Sequence, residues 1–300
     1  MFEEIELLGK KIKIKNYNCS MNKDNFQREK IKLNLYIKIN DECNAQCLYC
    51  SNHNMKNNGK LDIEKLKFLL KELKKQDLIN RISITGGEPM LNFELLNNVV
   101  NSVFEVIPNA FLTINTNGFN LKNILNLDEI DKIEGVHISR HHYDDIKNNK
   151  IFGIEVASYN DIKNVMEMLS NKRLIRLNCL LLKGNIDNID EVNKYLEFAS
   201  LLDVFRVGFV SLMKVSEYCK ENFIDFNNVF NKDSINTNIL RHYYDQNICE
   251  CINGAYISDE GKIIEYYARM TKELNCDYAR QLVYTSDNKL TLGFGKEIII

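Results

Sequence analysis

The 300-residue chain is 45% hydrophobic and carries a formal net charge of -2. That suits one full-sized α/β domain with an appendage, and the near-neutral balance without a basic tract argues against a nucleic-acid partner. No apolar stretch is long enough to span a bilayer, and the leading MFEEIELLGKK lacks the apolar core of a signal peptide, so the expected location is cytoplasmic with no membrane partner.

Residues 1–32 read as an N-terminal extension with one short β-like run, KKIKIKN. From residue 33 to residue 214, strand-like and helix-like runs alternate. The strands are expected at 33–40, 81–85, 110–116, 135–140, 174–182 and 204–211. Between them lie amphipathic runs such as IEKLKFLLKELKK, whose Leu66, Leu69, Leu70 and Leu73 make the i, i+3, i+4, i+7 stripe of a packed helix. Strict βα alternation implies a parallel sheet with right-handed crossovers. Six such units fit a partial (β/α)6 TIM barrel better than a closed one of eight.

The strands are not continuously apolar, as strands buried on both faces would be. Leu33, Leu35 and Ile37 interleave with Asn34, Tyr36 and Lys38; Val136 and Ile138 interleave with His137 and Ser139; Leu177 lies between Arg176 and Asn178. Side chains alternate faces along a strand, so the apolar set can pack on helices while the polar set lines a wet interior. The competing arrangement is a two-layer sheet with one solvated face. Beyond residue 214 the rhythm stops. Residues 215–300 hold two hairpin-like segments, AYISDEGKIIEYY and QLVYTSDNKLTLGF, and are expected to form a small antiparallel C-terminal cap.

Nine cysteines in such a compartment point to metal ligation rather than a disulfide framework. Three of them, Cys43, Cys47 and Cys50, stand in DECNAQCLYC just after the first barrel strand. Three thiolates at C-x3-C-x2-C spacing can grip three irons of a [4Fe–4S] cluster and leave the fourth open, and an open position marks a catalytic site. A zinc knuckle and unrelated core cysteines are the competing readings. The second motif, GGEP at Gly86 to Pro89, closes the next strand. Glycines there admit close backbone approach to a ligand, and the Glu88 carboxylate can pair with an ammonium.

Together these motifs resemble the radical S-adenosylmethionine (SAM) superfamily, over roughly residues 33–212 and at the level of motif order. The resemblance implies a [4Fe–4S] cluster on Cys43, Cys47 and Cys50, with Tyr49 as the aromatic before the last cysteine. Gly86, Gly87 and Glu88 are implied to hold the methionyl amino group. Asn115 and Asn117, in and after the strand that ends at TNG, and Ser139 of the next strand are implied to contact SAM. In such enzymes the cluster, fed by a flavodoxin- or ferredoxin-type donor, cleaves SAM to methionine and a 5′-deoxyadenosyl radical that abstracts a substrate hydrogen. The NCLLLKG run and the helix after it also resemble the molybdenum-cofactor cyclase branch and its relatives with SPASM or twitch extensions. The cyclase's C-x2-C run is absent, and the sequence reads KEIII at its end where that family has Gly-Gly.

Three further cysteines, Cys249, Cys251 and Cys276, either ligate a second Fe–S cluster or are inert; their spacing does not match the usual auxiliary sites. Cys179 falls in the apolar register of its strand and reads as core. Cys19 is unremarkable, and Cys219 is near enough in sequence to the barrel mouth to serve as a thiol hydrogen donor if the enzyme were an epimerase. His137, Arg140, His141, Lys183 and Lys214 lie on or just past strand ends, the active face of such barrels. They are candidate contacts for an anionic substrate, as is Lys38 for the SAM carboxylate. The expected substrate is a small molecule, with a short peptide, modified or epimerised, as the alternative. A non-catalytic Fe–S or zinc module is the rival from another class.

Overall fold

The computed structural model describes residues 2–15, 17–18, 30–31, 33–50, 59–230, 240–244, 254–258, 262–268 and 281–293. The chain opens with an antiparallel hairpin, β1 (Phe2–Leu7) and β2 (Lys10–Lys15), and a short pair, β3 (Tyr17–Asn18) with β4 (Lys30–Ile31). Leu7, Ile12 and Ile14 turn inward from the hairpin and join the main apolar core.

The expected βα series follows, except that two short 3-10 turns instead of an α-helix join its third and fourth strands. It runs β5 (Leu33–Lys38), α1 (Ile63–Lys75), β6 (Ile79–Thr85), α2 (Phe93–Val106), β7 (Phe111–Thr116), β8 (Gly135–Ser139), α3 (Asp145–Phe152), α4 (Tyr159–Met168), β9 (Ile175–Leu181), α5 (Ile189–Leu201) and β10 (Arg206–Ser211). Each neighbouring pair from β5 to β10 is parallel. The leucine stripe of α1 is buried as its spacing predicts, and the Asp62 carboxylate caps the helix by accepting from the backbone N–H of Glu64 and Lys65.

Face alternation divides the strands as anticipated. Leu33, Leu35, Ile37, Ile82, Ile84, Leu112, Ile114, Val136, Ile138 and Leu177 belong to the core beneath the helices. The opposite face carries hydrogen-bonded polar groups: Asn115 donates to Ser83 Oγ at 2.8 Å, Ser83 and Thr113 share a bond of 3.0 Å, and Arg176 donates to Asn178 at 2.9 Å. Near the C-terminal ends of β9 and β10 this lining changes. Leu180, Leu182, Val210 and Leu212 form a separate apolar cluster with Tyr49 and Phe223 against it.

After α6 (Glu217–Glu221) and α7 (Phe226–Val229), the described strands are β11 (Leu240–Tyr244), β12 (Gly254–Ser258), β13 (Ile263–Ala268), β14 (Gln281–Tyr284) and β15 (Leu290–Thr291). Both anticipated hairpins exist: β12 pairs antiparallel with β13, and β14 with β15. Each also joins the barrel sheet. β13 lies parallel to β10 and β14 parallel to β5, on opposite margins, so the strand order is β11-β12-β13-β10-β9-β8-β7-β6-β5-β14-β15. The parallel run therefore extends two strands beyond the six βα units, because the polar turns of the C-terminal segment hid strands able to pair at long range. No helix among the described residues is long and apolar enough to cross a membrane.

Candidate functional site: a three-cysteine loop at the barrel mouth

The loop after β5 carries Cys43, Cys47 and Cys50 and is fixed from several sides. Gly87 N–H donates to the Asn40 carbonyl and to Asn40 Oδ1, both at 3.0 Å, and Glu88 N–H donates to the Glu42 carbonyl at 2.8 Å. Asn40 Nδ2 returns a bond to the Glu88 carbonyl at 2.8 Å. The two glycines are required by space: a Cβ on Gly87 would lie 1.9 Å from the Glu42 carbonyl oxygen, and one on Gly86 would lie 2.3 Å from Asn40 Oδ1. Asn117 Nδ2 donates to Asn44 Oδ1 at 3.0 Å. Gln46 N–H donates to the Phe152 carbonyl at 2.9 Å, and Cys219 Sγ donates to the Tyr49 carbonyl at 3.7 Å. Asn40 and Asn44 are site residues that sequence reading passed over; lone asparagines beside a motif carry no periodic signal.

Burial pushes Cys47 up to about 12, with Cys50 and Cys43 adding to it, and burial raises Cys43, with Glu88 and Cys50 adding to it. Among the described residues no three His, Cys, Asp or Glu side chains are gathered as tightly as a single metal ion requires. A cubane instead spreads its thiolates over separate irons. Three thiols on one loop beside a glycine turn are a donor set that suits such a cluster.

Glu88 differs from expectation in where its side chain points. It is 1% exposed. One carboxylate oxygen accepts from Met90 N–H at 2.9 Å and Thr116 Oγ1 at 2.7 Å, the other from Asn117 N–H at 2.7 Å. Burial pushes its pKa up to about 7 despite these donors. The carboxylate thus ties the ends of β6 and β7 together, and the backbone of Gly86–Gly87 is what faces the cysteine loop. Asn115 straps β6 by donating to Ser83 Oγ and to the Ile84 carbonyl at 3.1 Å. Ser139 is half-buried at the end of β8.

The cationic candidates separate. Arg140 is 1% exposed and donates to the carbonyls of His142, Ala157 and Tyr143 and to Asp145 Oδ1, so its guanidinium clamps the loop after β8 and is not available to a substrate. Lys38 pairs with the buried Asp41. Lys183 is exposed, and exposed Lys214 sits 3.9 Å over the Phe223 ring. His141 stacks on Phe152 at 4.9 Å, meets the Tyr49 ring edge-on at 5.2 Å and accepts from Leu180 N–H through Nδ1. It supports the cysteine loop from the turn after β8. His142 is also buried, with Nδ1 accepting from Asp144 N–H. Cys179 is core, as its register implied. Cys19, Cys249, Cys251 and Cys276 lie outside the described residues.

His137 lies on the interior face of β8, in register with Asn115 and Arg176. Burial, with Arg176, Arg206 and Arg81 nearby, holds its imidazole well below the ordinary range and so neutral. Glu265 of β13 is fully buried and bridges Arg176 at 2.9 Å and Arg206 at 2.5 Å. Burial acts to raise this carboxyl, but the two guanidiniums bring it below its usual value. Arg81, Arg176 and Arg206 thus gather around Glu265 on the interior face. Arg81, Arg206 and Glu265 were missed because each sits singly in a strand that gives no local sign of the others.

The profile of the radical SAM superfamily matches residues 37–199, more than half of the chain. The protein belongs to that superfamily, a family of SAM-dependent iron–sulfur enzymes. It is similar to the GTP 3′,8-cyclase of Clostridium acetobutylicum, 26% identical over 194 residues, covering 62% of this chain and 58% of that one. It is also similar to a probable GTP 3′,8-cyclase of Methanococcus aeolicus, 25% identical over 266 residues, covering 85% and 83%. The fold matches that of Streptococcus suis SuiB bound to S-adenosylmethionine, with a TM-score of 0.59, 15% identity, and coverage of 89% of this chain and 63% of that one. The chain therefore spans about three fifths of the length of two of these three proteins.

Proposed function

We propose that Cys43, Cys47 and Cys50 hold a [4Fe–4S] cluster at whose open iron SAM is reductively cleaved, and that residues 33–214 carry the catalytic core. The observation that carries this reading is the docking of one three-thiol loop onto the glycine turn after β6 and the asparagine after β7. A cluster held there and reduced by an external flavodoxin- or ferredoxin-type donor would supply the electron for reductive cleavage of SAM to methionine and a 5′-deoxyadenosyl radical.

This chain's residues do the rest. The Gly86–Gly87 turn seats the cysteine loop beside the place SAM would occupy, and Glu88 holds that turn to β7. Asn117 and Ser139 stand at neighbouring strand ends where SAM would lie. Tyr49, Leu180 and Val210 form an apolar collar that excludes water from the radical's path. Below it, Arg81, Arg176 and Arg206 favour a substrate with an anionic group, and neutral His137 can donate or accept a hydrogen bond there. A small anionic metabolite is the substrate class this lining supports. The relatives named for a GTP cyclase make a nucleoside triphosphate the first to try.

The test is anaerobic reconstitution with iron and sulfide, reduction by dithionite, and addition of SAM. Four irons per chain and release of 5′-deoxyadenosine are expected. A well-loaded protein that leaves SAM intact, or a protein that takes up zinc and no iron, overturns the reading.

A further inference from the structure

The loop with the three cysteines leaves β5 at one end and enters α1 at the other. Both ends meet the same remote element, the turn between β14 and β15. At the leading end, Asp41 is almost fully buried, pairs with Lys38 and accepts from Ser286 Oγ. At the trailing end, Asn288 uses both halves of its amide. Its Oδ1 accepts from Asp62 N–H at 2.7 Å, and its Nδ2 donates to the Lys60 carbonyl at 2.9 Å. Asp62 is the cap of α1, so Asn288 fixes the residue on which that helix starts. The backbone passes so near that a Cβ on Gly59 would lie 2.5 Å from Asp287 Cα.

The turn is itself rigidly built. Thr285 Oγ1 donates to Asp287 Oδ1 at 2.5 Å, Lys289 pairs with Asp287 at 2.6 Å, and Tyr284 OH donates to Asn288 Oδ1 at 3.2 Å. Asn288 has φ 63°, a left-handed conformation that Asn and Gly tolerate best. The pairing of Tyr284 with Ile37 sets the turn beside the end of β5, where the cysteine loop begins.

We propose that the β14–β15 turn is a clasp for the cluster loop, with Ser286 and Asn288 as positioning residues that hold its two ends. Pinning both ends of a segment removes much of the chain entropy that would otherwise oppose bringing its thiols together. The inference rests on the assignment of Cys43, Cys47 and Cys50 as cluster ligands. It adds that the C-terminal segment, far away in sequence, keeps those ligands in place before iron arrives.

The test is the pair of substitutions Ser286→Ala and Asn288→Gly in the full chain. Glycine keeps the positive φ and removes only the amide, and alanine fits the buried serine site. Asn97→Ala, which breaks two exposed bonds with Asp128 away from the loop, is the control. In metal-free protein, hydrogen exchange at the amides of Asp62, Gln46 and Cys50 should quicken at least several-fold in the clasp variants and not in the control. In reconstituted protein, the clasp variants should lose iron to a chelator several-fold faster at matched global stability. Unchanged exchange at Gln46 and Cys50, or iron loss no faster than in the control, overturns the clasp. A wild type that loads no cluster would instead refute the ligand assignment, leaving the exchange result to judge the clasp alone.

Discussion

Asn117 spans from the end of β7 to the cysteine loop: its Nδ2 donates to Asn44 Oδ1 at 3.0 Å, while its Oδ1 accepts from Phe119 N–H at 2.8 Å. The residue is buried, and its own backbone N–H is held by Glu88. One amide thus links the second-motif carboxylate, the third-strand turn and the loop of thiols. Asn117→Ala should cost about 1–2 kcal/mol of stability in urea unfolding, the scale of two lost hydrogen bonds, and should weaken SAM binding to the loaded protein. Binding and stability both at wild-type values would show that the link is incidental.

Removing any of the three thiols should abolish SAM cleavage. Cys43→Ala, Cys47→Ala and Cys50→Ala should each hold less than the full iron content, while far-ultraviolet circular dichroism stays close to wild type because the strands do not depend on the loop. The triple variant should be colourless unless Cys249, Cys251 and Cys276 hold a second cluster. A visible Fe–S spectrum in the triple variant would establish that cluster.

The buried Glu88 makes folding depend on pH. Its folded-state pKa of about 7 lies above the ordinary 4.5, so the folded protein holds this proton more tightly than the unfolded chain. The corresponding stabilisation is whole below pH 4.5 and lost as pH rises through about 7, on the order of 3 kcal/mol in all. The difference in unfolding free energy between wild type and Glu88→Gln, measured metal-free, should shift in that direction across the window. A flat difference would mean that the carboxylate is charged throughout.

In the lumen, Glu265→Ala should destabilise the protein by about 3–5 kcal/mol, because it leaves the guanidiniums of Arg176 and Arg206 facing each other without their shared carboxylate. Arg206→Ala should cost less, since Arg176 still pairs with Glu265. Chemical denaturation of both variants checks the order. Equal costs would place Glu265's role outside this pair.

Much of the fold was legible because it rests on local pattern. The 2-residue alternation of β5, β8 and β9 told interior from core, and the leucine stripe of α1 told which face is buried. The glycine turn was legible because close backbone approach demands residues without a Cβ. What stayed hidden depends on contacts distant in sequence. Arg140 sits at a strand end where a substrate cation would sit, yet its fate is set by three carbonyls and Asp145. Glu88 has the charge to meet an ammonium, but the donors from Met90, Thr116 and Asn117 turn it inward. Glu265 gives no local sign that it will meet Arg176 and Arg206.

The attachment of β13 to β10 and of β14 to β5 bears on how the molecule can be cut. A fragment ending near residue 214 would bare the hydrogen-bonding margins of both outer barrel strands at once. Such rows of unpaired N–H and C=O groups are templates for adding a strand from another chain. The fragment should self-associate instead of behaving as a minimal enzyme, so the last third of the sequence works as the selvedge that keeps the barrel from unravelling into its neighbours.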